Sequence, residues 1–123
     1  MTEGQAPAGW PDGVRPPGAP GWERSAVGWL YDLCPPDYRA YDVLRRHPVI
    51  LARFAADHVA AAREATKHGL ATVRAELRDA VPPEAVDAAI AAYERESHRL
   101  VAVARAVDLV GQALRGRRFV QRL

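Results

Sequence analysis

A chain of 123 residues has room for one domain, and a formal charge of only +2 excludes a protein that binds nucleic acid with its whole surface. Apolar residues make up 49% of it, enough for a core, but many are alanines, which favour helix and bury little area each. Stability must then come from length and close packing more than from bulky side chains.

Cys34 is the only cysteine, so no internal disulfide can form, and a reducing compartment suits the chain. Glu3 and Asp12 stand among glycines and prolines at the N-terminus, which is not the pattern of a signal peptide. No run approaches the roughly 18 apolar residues of a membrane span, so no membrane partner is expected and the default location is cytoplasmic.

Residues 1–24 are rich in proline and glycine with scattered charges. Such a segment buries too little surface to offset its ordering entropy, and the composition predicts a disordered tail with extended polyproline character. Trp10 and Trp22 stand out in it. Either they rest on a nearby surface, or the tail docks on a partner through them, since tryptophan is over-used in binding hot spots.

Residues 25–123 read as a single helical domain. Ser25 is placed to cap a short helix to about Leu33, with Ala26, Trp29, Leu30 and Leu33 on one face and Trp29 as its anchor. Pro35 and Pro36 stop it. A second short helix starts at Asp37, runs through Tyr38, Tyr41 and Leu44, and ends before Pro48. Cys34 has no readable base beside it and reads as a buried structural thiol.

Two long helices follow, at about 48–80 and 83–115. In the first, Ala52, Ala55, Val59, Ala62, Thr66, Gly69 and Val73 form a small-residue stripe in steps of three and four. Lys67-His68-Gly69 resembles a helix C-terminus, but the apolar phase continues unshifted beyond it, so one helix is expected with a possible bend at Gly69. Val81-Pro82-Pro83-Glu84 makes the turn. In the second, Val86, Ile90, Tyr93, Ser97, Leu100, Ala104, Val107, Gly111 and Leu114 keep an unbroken 4-3 spacing. Its small members, Ala104 and Gly111 above all, are expected where the two backbones come closest. Gly116 ends the helix.

The fold class is therefore all-α: a long antiparallel hairpin with two short N-terminal helices packed on it. The short segments cannot cover both arms, and uncovered apolar surface invites a second copy, so a homodimer is expected.

Three constellations could carry chemistry. Glu64/His68 and Glu94/His98 are i, i+4 pairs at similar heights in the hairpin, as in helical metal proteins, but Glu64, His68 and His98 point away from the seam. Solvated pairs are the better reading, and no metal or other cofactor is expected. His47, His58, His68 and His98 have no nucleophile elbow, phosphate loop or cysteine pair to work with, so no enzyme is expected.

The third is a basic end. The hairpin gathers Arg39, Arg45, Arg46 and Arg53 with Arg105, Arg115, Arg117, Arg118 and Arg122. Nine arginines against Asp37, Asp42 and Asp108 leave an excess of six positive charges there. Cations complement a helix C-terminus, which accounts for Arg115 but not for the group. Arg45, Arg46, Arg115, Arg117 and Arg118, with Phe119 as a flat neighbour, are the candidate surface for an acidic or phosphate-bearing partner. The leading expectation is a non-catalytic interaction or assembly module whose basic end meets an acidic protein. The alternative is a nucleic-acid-associated protein using the same end, and a helical metalloenzyme comes third.

Overall fold

The computed structural model describes residues 6–120. It is all-helical: α1 (Trp22–Asp32), a 3₁₀ turn (Pro36–Ala40), α2 (Asp42–Arg46), α3 (Pro48–Leu77) and α4 (Pro83–Leu114).

The two long helices form the antiparallel hairpin. Pro48 and Pro83 each open a helix at its first position, where the missing N–H has no acceptor to lose. Three cross-arm pairs set the register. A Cβ on Gly111 would touch the Ala52 Cβ, the Tyr93 ring lies over Gly69, and Arg74 Nη2 meets Asp87 Oδ1 at 3.2 Å. They step from both arms toward the turn at residues 78–82. The expected α3 stripe is the buried one, with Ala52, Ala55, Val59, Thr66 and Val73 inside.

α3 passes through Gly69 unbroken. The glycine is there for close approach and not for a helix end. A Cβ at residue 69 would come within 2.5 Å of Tyr93 Cζ and 2.7 Å of its hydroxyl. The expected tight point at Gly111 is looser, because its added Cβ would find only Ala52 at 3.7 Å, an ordinary contact. Along α4, Val86, Leu100 and Val107 are buried as the spacing predicts, but Ser97 faces solvent.

The C-terminal half of α4 also buries a second face, through Ala106, Leu109, Val110 and Ala113. Val110 is completely enclosed, in one cluster with Val14, Ala26, Leu30 and Leu51. The N-terminal elements therefore wrap this end of the hairpin. Ala26 and Leu30, not Trp29, are the fully enclosed residues of α1, and Trp29 is half-buried. The segment expected as one helix from Asp37 divides at Tyr41, whose extended backbone separates the 3₁₀ turn from the single turn of α2. Leu44, 0% exposed, pins α2.

Residues 6–21 differ from the disorder that their composition suggests. They run as successive turns, in which the amides of Trp10, Val14, Ala19 and Trp22 donate to the carbonyls of Pro7, Pro11, Pro16 and Ala19 at 3.0–3.2 Å. Val14 is 4% exposed in the core. Prolines stiffen the unfolded chain as well as the folded one, which lowers the entropy lost on ordering, and Val14 adds the apolar burial. Residues 1–5 of the expected tail lie outside the described residues. α1 begins at Trp22, after a left-handed Gly21, three residues before the expected cap. Ser25 is not that cap: its hydroxyl donates to the Trp22 carbonyl at 2.7 Å and accepts the Arg15 amide at 3.0 Å, fastening the strap to α1.

Candidate anion-binding end

The C-terminus of α4 shapes the basic end. Gly116, with φ of 98°, reverses the chain after Arg115. Its amide donates to the Ala113 carbonyl at 2.9 Å, and the Arg117 amide donates to the Gln112 carbonyl at 3.0 Å. This 5→2 and 6→1 pattern satisfies two carbonyls at the negative end of the helix dipole. It also sets Arg115, Arg117 and Arg118 beyond that end, all exposed.

Arg117 is held on two sides. Its guanidinium donates to Gln112 Oε1 and lies 5.2 Å from the centre of the Phe119 ring. The edge of Phe119 meets Trp10 at 6.2 Å between ring centres, and Trp10 meets Trp22 at 6.3 Å. The Trp10 indole N–H donates to the Val14 carbonyl at 2.9 Å. Both tryptophans considered for docking a partner are half-buried against this chain itself.

The remaining arginines at this end are more committed than a count of charges implies. Arg45 and Arg46 both pair with Asp42, Arg46 at 2.7 Å. Arg53 pairs with Asp57 at 3.4 Å. Arg39 pairs with Asp32 at 3.1 Å and lies over the Tyr31 ring. Arg105 donates to the Ala8 carbonyl at 3.3 Å. Asp32 and Asp57 join the end, so its excess of charge is smaller than the nine-to-three count. Among the described residues, Arg115, Arg117 and Arg118 have no carboxylate partner, and Arg122 lies outside them.

The spacing Asp42-x-x-Arg45-Arg46 was a readable signal for the shared carboxylate, since i, i+3 and i, i+4 pairs meet on a helix. The same spacing joins Gln112 to Asp108, whose Oδ2 accepts from its amide at 2.6 Å, but the Arg117 contact to Gln112 carried no such signal, because Arg117 reaches back only through the reversed chain after Gly116.

Glu64, His68, Glu94 and His98 are all exposed. Among the described residues no three His, Cys, Asp or Glu side chains form a metal-holding group. Elsewhere on α4, Glu96 is gripped by Arg99 at 2.6 and 2.9 Å, and this hydrogen bonding holds its carboxyl below the usual range. No helix among the described residues is long and apolar enough to cross a membrane.

Cys34 is buried, and burial pushes its thiol above the ordinary range, with Arg39 acting weakly the other way. A protonated, enclosed sulfur is a poor nucleophile. Native protein at pH 8 is therefore expected to take up iodoacetamide far more slowly than protein in urea. Equal rates in the two conditions would show the thiol to be accessible.

Comparison with known protein families, with curated proteins and with solved structures found no match to this chain.

Proposed function

We propose that this chain is a non-catalytic helical assembly module: a homodimer joined through the outer part of its hairpin, with a basic end that receives an acidic protein segment. One observation carries the first half. The hairpin outruns its cover. Beyond the wrapped end, α3 buries only Thr66 and Val73 and α4 only Val86, while Leu70, Leu77 and Val81 are exposed. A two-helix ribbon has no enclosed core of its own, and a second copy is the commonest way to complete one. Static light scattering is expected to give a dimer mass at micromolar concentration and above. A monomer mass throughout that range would rule out self-assembly.

The three C-terminal arginines support the second half. Planar guanidinium groups suit carboxylates, and like charges held together in one short segment favour a compensating anion. Nucleic acid is the less favoured partner, because four of the gathered arginines already hold carboxylates of this chain. Changing Arg117 and Arg118 together to Ala is expected to leave helicity intact and to hold or slightly raise stability at low salt. Binding to poly-glutamate should fall several-fold, and the difference should shrink as salt rises. Equal affinity of the parent and the double variant at low salt would show that these arginines only cap a helix. Preferential loss of an RNA probe would favour the nucleic-acid alternative.

A further inference from the structure

One face of the hairpin, along most of both arms, carries a charge pattern that its own fold does not use up. On α3, a stripe in steps of three and four runs from Arg53 to Leu77, and every residue in it is exposed. Its charged members are Arg53, Arg63, Lys67 and Arg74, without one carboxylate. Its apolar members are Ala56, Ala60, Leu70 and Leu77. On α4 the matching stripe runs from Asp87 to Asp108. Its charged members are Asp87, Glu94 and Asp108, without one cation, and Ile90, Ser97, Val101 and Ala104 lie between them. A shallow groove between the helices is lined by Ala60, Arg63, Lys67 and Leu70 from one stripe and Ser97 and Val101 from the other, with Glu64 and Thr66 of α3 beside them, so both stripes lie on the same face. The face therefore has a mainly basic edge, on which Glu64 is the one carboxylate of the groove, an acidic edge, and a trough that is apolar apart from Thr66 and Ser97. Among the described residues Arg63, Lys67 and Glu94 make no ion pair, while Arg53 is paired with Asp57, and Arg74 and Asp87 already bridge the two arms.

We propose that this face is the contact between two copies of the chain, joined by a two-fold axis parallel to the helices so that α3 of each copy lies on α4 of the other. The proposal rests on the assembly reading above and deepens it. Two hairpins laid face to face have two simple two-fold arrangements. With the axis across the helices, α3 packs on α3, and four cations of one copy meet the same four of the other. With the axis along the helices, each basic edge meets an acidic one. Like charges brought together cost free energy and opposite charges fix register, so the segregated pattern selects the second arrangement.

Register agrees. Within the hairpin, Arg74 stands beside Asp87, and Lys67 and Glu94 lie one heptad further along both arms. The axis along the helices preserves height, so Lys67 of one copy stands opposite Glu94 of the other. Size agrees as well. The stripe is about 36 Å long at 1.5 Å per residue and about 20 Å across two helices. That is roughly 700 Å² a side, against about 800 Å² a side in stable complexes.

The test uses the full chain at low ionic strength, with dimer dissociation followed by sedimentation and helicity checked by circular dichroism. The variants are Lys67→Glu and Glu94→Lys, each alone and then mixed in equal amounts. Each places like charges opposite one another twice in its own dimer, and each is expected to weaken dimerisation about tenfold. Mixing the two must restore affinity to about that of the parent, because in the mixed dimer position 67 of each copy again faces a charge of opposite sign at position 94 of the other. Mixing cannot repair a pairing within one chain, since each single variant keeps two like charges in its own hairpin. A parent dimer that neither variant weakens, or weakened variants that mixing does not rescue, would overturn this interface and leave self-assembly standing through another surface. A parent that stays monomeric would overturn both.

Discussion

Truncating Leu30 to Ala is expected to destabilise the protein by about 3 to 4 kcal/mol, within the range for leucines removed from closed cores. Leu30 is 0% exposed and shares its cluster with Val14 of the strap, Leu44 of α2, Leu51 of α3 and Val110 of α4. The strap, α1, α2 and both arms thus converge on one site. Neighbours tied to so many elements cannot all shift inward, so the cavity stays largely open and the loss sits toward the upper end. At roughly 4 °C per kcal/mol for a chain of this size, Tm falls by about 12 to 16 °C. Val120→Ala is the control: at 84% exposed after the end of α4, it should change stability by less than about 0.5 kcal/mol. A Leu30→Ala loss below about 1 kcal/mol, measured by urea titration, would mean that α1 does not close this core.

Gly69 gives the second large effect, and its sign depends on one neighbour. On an open helix surface, Gly→Ala gains up to about 1 kcal/mol of propensity. Here the added methyl enters the space of the Tyr93 ring, touching Cε1, Cζ and the hydroxyl. Tyr93 is half-buried in the seam, so the ring can move only by giving up its packing. Gly69→Ala is expected to cost about 1 to 2 kcal/mol net, and Gly69→Leu about 3 kcal/mol, as overpacked seams do. With Tyr93→Ala already in place the sign reverses, and Gly69→Ala then stabilises by about 1 kcal/mol. A double-mutant cycle read by thermal melts checks this. Gly69→Ala raising Tm in the parent would show that the ring is not held over the glycine. Gly111→Ala, whose Cβ meets only Ala52 at 3.7 Å, should be neutral or mildly stabilising in the same assay.

Much of the fold was legible because helix geometry writes itself into spacing. The seven-residue phase of Val86, Tyr93, Leu100 and Val107 predicted the arm and its face, and it continued across Gly69 on the other arm because that glycine serves packing. The prolines at 48 and 83 marked both starts, and Gly116 marked the end. The arginine end was legible as a place, since a hairpin of known turn must bring residues 45 and 115 to the same end. How far those charges are already used was not. Arg39 finds Asp32 seven residues back across two proline-interrupted segments, and no periodicity connects them.

By itself the sequence determined the periodic part of this protein: the two arms, their seam and their turn. These follow from 3.6 residues per turn, a rule that acts between near neighbours in the chain. Only the tertiary structure decided what the non-periodic residues do. Proline and glycine content describes how little a segment gains from its own contacts, but the Val14 side chain gains its burial from helices far along the chain. The same holds for Trp10, which meets Phe119 across nearly the whole length of the sequence. Local patterns cannot register such contacts, because their free energy comes from surface that exists only after the arms have packed.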